Sequence, residues 1–335
     1  MGSASRATVW CCLLAVSLTG SAAAQAGHAL RPIPQRSGLA SEPITPLPLQ
    51  VHLDRSKVDL GHRLFLDSRL SRDNSTSCGS CHGLATGGTD QLSRSIGIGG
   101  AQSDVNAPTV FNSGFNFRQF WDGRAATLED QIDGPLTHPK EMGSTWPAVV
   151  GKLRNDPQYV TAFRALYPDG IQRDNIKDVI ATFERSLVTS NSRFDQFLRG
   201  DGQVLTDRER AGYQRFKAYG CASCHQGANV GGNMYQKFGV VADYFADRGN
   251  ITKADLGRFN VTGLERDRYR FRVPSLRNVG VTPPYLHDGT AATLQDAVNV
   301  MAKYQLGRSL PVEDRDLIVE FLFTLTGEYE GEPLR

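Results

Sequence analysis

The stretches whose reading decides the fold are Cys78-Gly79-Ser80-Cys81-His82 and Cys221-Ala222-Ser223-Cys224-His225. Each is Cys-x-x-Cys-His. At that spacing two thiols add across the vinyl groups of one haem, and the adjacent imidazole reaches the iron from the proximal side. The same residue types would also suit a zinc site or two short disulfides. Two copies, with no other Cys beyond Cys11 and Cys12 near the N-terminus, favour two covalently bound haem c groups.

Outward from these motifs lies an internal repeat. Asp122-Gly123-Arg124-Ala125-Ala126-Thr127-Leu128-Glu129-Asp130 matches Asp288-Gly289-Thr290-Ala291-Ala292-Thr293-Leu294-Gln295-Asp296 at seven of nine positions. The offset that carries Asp122 onto Asp288 also aligns Pro108–Asn112 with Pro274–Asn278. The haem motifs, ending at His82 and His225, are spaced more closely than that, so the second half carries an insertion between its haem motif and its repeat. The chain therefore divides into two related halves, residues 51–190 and 191–335, each with one haem motif. Helical periodicity recurs along both. Ile176, Val179, Ile180, Phe183 and Leu187 share one face, as do Leu317, Ile318, Phe321, Leu322 and Leu325. Thr206-Asp207-Arg208-Glu209 is a capping box that opens another helix. Alternating strand patterns are scarce, so the fold class expected is mostly α with long loops.

The flanks and the composition narrow the function. Arg6, the apolar run Val9–Leu18 and the small residues Ser21–Ala26 follow the pattern of a secretory signal over residues 1–26, with cleavage after Ala24 or Ala26. The run is too short to cross a bilayer, so no transmembrane segment is expected in the mature protein. Residues 27–50, with Pro32, Pro34, Pro43, Pro46 and Pro48, read as an extended surface arm. A formal charge of +2 over 335 residues leaves no basic excess to neutralise phosphates, which argues against nucleic acid as a partner.

Each iron needs a second axial partner or an open face, and Met is the usual partner where a haem transfers electrons. After the initiator the candidates are Met142, Met234 and Met301. Carried back by the offset of the repeat, Met301 falls on Pro135, which cannot ligate iron. If Met301 closes the second haem, the first is open. That divides the labour between an iron that passes electrons and an iron that does chemistry, although on composition alone Met301 reads as a core residue. Around the open position stand Gln131, His138 and Glu141. Glu141 could serve as general acid/base if burial raises its pKa, and Gln131 could hydrogen-bond a bound oxygen species. His138 could instead supply a ligand. Trp121, where the other half has His287, is either a core aromatic or a relay between the haems.

These motifs resemble the bacterial dihaem cytochrome c peroxidases over roughly residues 50–327. The resemblance rests on Ser77–His82, Asn106–Val110, Phe120–Arg124, Gly134–Leu136, Glu141–Gly143, Val273–Asn278 and Met301–Gly307. It implies two cytochrome c-like domains in a periplasmic homodimer that reduces H2O2 with electrons from a small cytochrome c or a cupredoxin. The peroxidatic haem would be N-terminal on His82, and the electron-entry haem C-terminal on His225 and Met301. Gln131 and Glu141 match the distal pocket, and Trp121 matches the residue between the haems. Asn106, with the carbonyls of Thr282 and Pro284, matches an inter-haem Ca2+ site of oxygen ligands. One position departs from the family pattern. Many members carry a distal His at the place where Ser95-Ile96-Gly97-Ile98-Gly99 here puts Ile98. Ile cannot coordinate, so the first haem is expected to be five-coordinate or water-bound when fully ferric. That also resembles dihaem enzymes that oxidise a partner protein, which typically use Tyr rather than Met at the second haem. Two alternatives thus stand beside the peroxidase: a dihaem oxidase of a partner protein or organic substrate, and a non-catalytic dihaem electron carrier.

Overall fold

The computed structural model describes residues 1–2 and 42–335. The expected signal, apart from its first two residues, and arm residues 27–41 lie outside the described residues. The fold is mostly helical, as the periodicity predicts. In chain order the helices are α1 (Arg55–Phe65), α2 (Cys78–Cys81), α3 (Leu128–Thr137), α4 (Trp146–Arg154), α5 (Pro157–Leu166), α6 (Arg173–Ser186), α7 (Arg193–Leu198), α8 (Asp207–Ala218), α9 (Tyr244–Arg248), α10 (Phe259–Thr262), α11 (Leu294–Leu306) and α12 (Val312–Phe323). Two short antiparallel two-stranded sheets accompany them: β1 (Tyr235–Lys237) with β2 (Arg270–Arg272), and β3 (Glu328–Tyr329) with β4 (Glu332–Pro333).

Local chemistry sets the helix ends. Thr206 and Glu209 form the expected capping box of α8. Thr127 and Thr293, equivalent in the repeat, cap α3 and α11 by accepting from Asp130 N and Asp296 N. The apolar faces read from the sequence are the buried ones. Ile176, Val179, Ile180 and Phe183 of α6 and Leu317, Ile318, Phe321 and Leu322 of α12 are all withdrawn from solvent.

Each half is built on one close helix crossing, α1 with α6 and α8 with α12. The crossing requires glycine. A Cβ on Gly61 would strike the carbonyl oxygen of Val179, and one on Gly212 would strike that of Leu317. The N-terminal core gathers Leu60, Leu64, Ile132, Leu136, Phe163, Val179 and Ile180. The C-terminal core gathers Phe194, Tyr213, Phe216, Ile318, Phe321 and Leu322.

A buried polar node joins the halves. Asn112 and Asn278, equivalent in the repeat, both take left-handed backbone with φ of 60° and 62°. The amide of each Asn donates to a helix-end carbonyl, Leu187 O at 2.8 Å and Leu325 O at 3.2 Å. Their side chains share Thr189 Oγ1, at 2.7 and 3.0 Å. All three residues are essentially inaccessible to water, and their amides and hydroxyl find partners in one another.

Residues 42–48 correct the expectation of a surface arm. Ile44 and Leu47 are fully buried, Ile44 within the C-terminal core. Pro43 O accepts from Gly227 N at 2.9 Å, and Leu47 N donates to Asp195 Oδ1 at 3.2 Å. The segment that leads into the N-terminal half thus docks on the C-terminal one, because its two aliphatic side chains need a core to enter. The longer spacing of the second half is accounted for by the antiparallel β1–β2 pair and by α9 and α10, which lie between its strands. Their rings (Phe238, Tyr244, Phe245, Phe271) pack with Trp121, His287 and Met301 into an aromatic wall. No described helix is long and apolar enough to cross a membrane.

Candidate active site

The C-terminal site is a cavity of about 270 Å³ lined by Cys221, Cys224, His225 and Met301. Phe216 of α8, Leu294, Val298 and Ala302 of α11, and Ile318 and Leu322 of α12 supply its apolar wall. The His225 ring is oriented by its own backbone: Nδ1 lies 3.3 Å from the carbonyl oxygen of Val230. A proton on Nδ1 leaves the Nε2 lone pair free as a ligand. Burial pushes His225 down to about 4, so the imidazole stays neutral. Burial also pushes the Cys221 thiol up to about 11. Arg272, which lines the same cavity, is buried, and its Nη1 has no hydrogen-bond partner among the described residues. A buried cation with an unused N–H calls for an anionic group. Haem brings carboxylates, so two thiols, a neutral imidazole, a thioether and this guanidinium fit that group.

The N-terminal site repeats the attachment chemistry. His82 Nδ1 lies 3.3 Å from Gly88 O. Burial pushes Cys78 up to about 12 and Cys81 up to about 11. Cys78 packs against Phe65, Val110, Phe111, Phe183 and Leu187. The opposite wall differs. In α11 the residues facing the cavity include Ala297, Val298 and Met301. The repeat places Gln131, Ile132 and Pro135 of α3 at those positions. Met142 is 4% exposed in the N-terminal core, which makes it a packing residue rather than a ligand.

After α3 the chain makes a tight turn that presents Glu141. His138 N donates to Gly134 O at 3.0 Å, Glu141 N to His138 O at 3.0 Å, and Gly143 N to His138 O at 2.9 Å. The loop carrying Ile98 closes against this turn through Ile98 N to Glu141 O at 2.9 Å. Gly97 allows that approach, since a Cβ there would collide with Lys140 O. Ile98 is 3% exposed and packs towards Gly143. Burial pushes the Glu141 carboxyl above the ordinary carboxylate range, opposed by the nearby His138 and Arg124. Gln131 is half-buried on α3.

Trp121 stands at the border between the halves. Its Nε1 donates to Asn106 O at 2.9 Å, its carbonyl accepts from Arg272 N at 2.8 Å, and its ring meets His287 edge-on at 6.3 Å. Asn106, Trp121, Thr282 and Pro284 all line the cavity that also holds His225 and Met301. Among the described residues no hydrogen bond ends on Asn106 Oδ1 or on the carbonyl oxygens of Thr282 and Pro284. Those three oxygens are free to bind a hard cation.

Some pairings at the site carry no local sequence signal. His287 Nε2 lies 2.7 Å from Asp255 Oδ1, and Arg248 bridges Asp255 and Asp288. Both carboxylates are already paired with the one guanidinium, so the cluster works as an ion-pair network. Arg277 is wholly buried with Asp195 at 2.7 Å, and its Nε donates to Ala228 O at 2.9 Å. It thereby braces the loop whose Val230 carbonyl orients His225. In both pairs, His287 with Asp255 and Arg277 with Asp195, the partners lie far apart along the chain, which hides them from a local reading. Only the place of Asp195 in the first turn of α7, behind the Ser192 cap, is visible locally.

A sequence model of the di-haem cytochrome c peroxidase family matches residues 55–203. The chain is 50% identical over 290 residues to cytochrome c peroxidase Ccp of Escherichia coli, an alignment covering 86% of this chain and 62% of that protein. It is 45% identical over 290 residues to cytochrome c551 peroxidase of Nitrosomonas europaea, covering 86% of this chain and 85% of the relative. Among solved structures, a MauG-like protein associated with microbial copper homeostasis superposes with a TM-score of 0.74 at 29% identity, covering 86% of this chain and 94% of that one.

Proposed function

Because this chain belongs to the di-haem cytochrome c peroxidase family, we propose that it reduces H2O2 to water at the N-terminal haem site with electrons that enter at the C-terminal one. The observation that carries this reading is the asymmetry of two equivalent helices. α11 brings Met301 to the cavity of His225, whereas α3 offers Pro135 and the facing loop offers Ile98, neither of which can bind a metal. His82, Cys78 and Cys81 would hold one haem, and His225, Met301, Cys221 and Cys224 the other. The haems supply the redox chemistry of iron.

The chain supplies proton handling and order. Glu141, whose carboxyl is pushed up by burial, moves a proton from one peroxide oxygen to the other. Gln131 orients the peroxide by hydrogen bonding. Trp121 carries electrons across the border between the halves. Ca2+ at Asn106 Oδ1 and the Thr282 and Pro284 carbonyls would tie that border together. The protein works in the periplasm as a homodimer, and its donor is a small cytochrome c or a cupredoxin. Replacing Glu141 with Gln is expected to lower peroxide-dependent oxidation of reduced cytochrome c by about 100-fold or more while sparing the haem spectra. Undiminished turnover overturns the assignment. The fully ferric protein is expected to react with H2O2 without prior reduction, and a paramagnetic resonance spectrum with low-spin signals alone contradicts the open site.

A second reading, oxidation of a partner protein or organic substrate, is favoured by the unblocked first site and opposed by Met301. A covalent, peroxide-dependent change in a partner would support it. If peroxide drives no oxidation at all, the chain is an electron carrier.

A further inference from the structure

Reduction of H2O2 consumes two electrons and two protons and yields two waters. The proton that Glu141 shifts between the peroxide oxygens is returned, so it does not count towards those two. Both must come from solvent, and the distal site needs a route for them.

The turn that presents Glu141 also holds an imidazole. His138 Nδ1 lies 3.5 Å from Glu141 Oε1, with both side chains about one-third exposed (37% and 33%). Nδ1 itself is shielded from water and has no hydrogen-bond partner among the described residues. The backbone fixes this juxtaposition, since Glu141 N and Gly143 N both donate to His138 O. The other charged groups near Glu141 are engaged elsewhere. Lys140 pairs with Asp104 at 2.6 Å. Arg124 pairs with Asp122 at 3.0 Å and lies over the Phe120 ring at 3.4 Å from its centroid. At the equivalent position in the C-terminal half stands Tyr304, whose hydroxyl donates to Asp247 at 3.0 Å. The imidazole facing the distal carboxyl is thus a feature of this half alone.

We propose that His138 is the proton-supplying partner of Glu141, a positioning residue through which solvent protons reach the distal carboxyl. Its exposed edge takes a proton from water at Nε2. Its shielded Nδ1 gives one up: the Nδ1–H bond breaks and an Oε1–H bond forms on Glu141. The electrons come from the cytochrome c or cupredoxin donor, so the relay itself is redox-neutral. An imidazole can take a proton on one ring nitrogen and release one from the other, which suits it to this role. The geometry at rest is long for a hydrogen bond and shortens by side-chain rotation, as is common at proton-transfer sites before substrate binds.

The inference rests on Glu141 as the proton carrier, and the experiment separates the two. His138→Asn and His138→Gln are made in the haem-loaded enzyme beside Glu141→Gln. Expected for both His138 variants is a fall of about 10-fold or more in kcat, with the second-order rate of the ferric protein with H2O2 changed by less than about 2-fold. Added imidazole restores kcat. In infrared titration, the carboxyl band that Glu141→Gln removes titrates at higher pH in His138→Asn, because a positive neighbour has been lost. Unchanged kcat, a loss that imidazole does not restore, or an unmoved carboxyl titration overturns the relay. An unimpaired peroxide step in Glu141→Gln overturns the reading of Glu141 instead.

Discussion

The two halves share a scaffold and differ where it faces a haem site. Gly61 against Val179 and Gly212 against Leu317 set the same helix crossing twice, and Asn112 and Asn278 cap it with the same left-handed turn. On that frame Met301 is exchanged for Pro135, Ala297 for Gln131, Tyr304 for His138 and Arg277 for Phe111. On the proposed reading the C-terminal set closes a site, with Arg277 bracing it, and the N-terminal set replaces the thioether by a proline and adds an amide and an imidazole. A duplicated fold can thus specialise through a few inward-facing positions while its core packing stays fixed.

The largest expected effect tests the brace. Arg277 and Asp195 form an ion pair with no exposure to water, while the other half has Phe111 at the place of Arg277. Replacing Arg277 by Leu leaves Asp195 charged and buried, and should lower unfolding free energy by about 3–5 kcal/mol. Because Nε of Arg277 holds Ala228 O beside the loop that orients His225, the midpoint potential of the second haem should move as well. Replacing both partners by apolar residues of similar volume should recover most of the stability. Denaturant titration of the single and double variants measures this, and a single variant of unchanged stability would remove the energetic distinction between the halves.

A smaller effect comes from making the halves alike. Pro135→Met puts a thioether at the place of Met301. The expected result is a ferric first haem converted to a low-spin state and a reaction with H2O2 slowed by about 100-fold, or about 2.7 kcal/mol in activation free energy. Stopped-flow mixing measures the rate. An unchanged rate with an unchanged spectrum would mean that α3 and α11 do not present these positions equivalently.

Much of this contrast is legible in the chain itself, for a physical reason. Residues 122–130 and 288–296 form a turn and helix cap whose chemistry is local, so the repeat survives as identity and carries Pro135 and Met301 into register. The helix pairs behind it do not announce themselves that way. Gly61 meets Val179 and Phe183 where Gly212 meets Leu317 and Phe321, so α6 and α12 correspond in a register different from that of the repeat. Apolar faces tolerate exchange among residues of similar size, so no identity marks that register. The docking of Ile44 and the pairing of Asp195 with Arg277 are long-range contacts whose partners lie in other elements. Glu141 and His138 are visible as near neighbours in the sequence, but the turn that brings their side chains together needed the structure.

The register that pairs Val179 with Leu317 exposes one more exchange, and it gives the smallest effect. Leu322 lines the C-terminal cavity, and its counterpart on α6 is Glu184, a residue only 6% exposed with one carboxyl oxygen lacking a partner. Burial raises its pKa from 4.5 to about 8, with Arg185 opposing and Glu129 adding. The unfolded chain therefore releases this proton at lower pH than the folded one. The stabilising contribution is complete below pH 4.5, declines as pH rises towards 8 and is gone above it. Glu184→Gln keeps the shape and removes the titration, so it should flatten the stability profile across that window. Above pH 8 the variant should exceed the parent by about 1 kcal/mol or more, since one unit of pKa shift corresponds to about 1.4 kcal/mol. Urea titrations at pH 5 and pH 9, compared between parent and variant, measure the difference of slopes. Parallel profiles would mean that Glu184 is solvated when ionised, and that α6 is as indifferent to pH at this position as α12 is at Leu322.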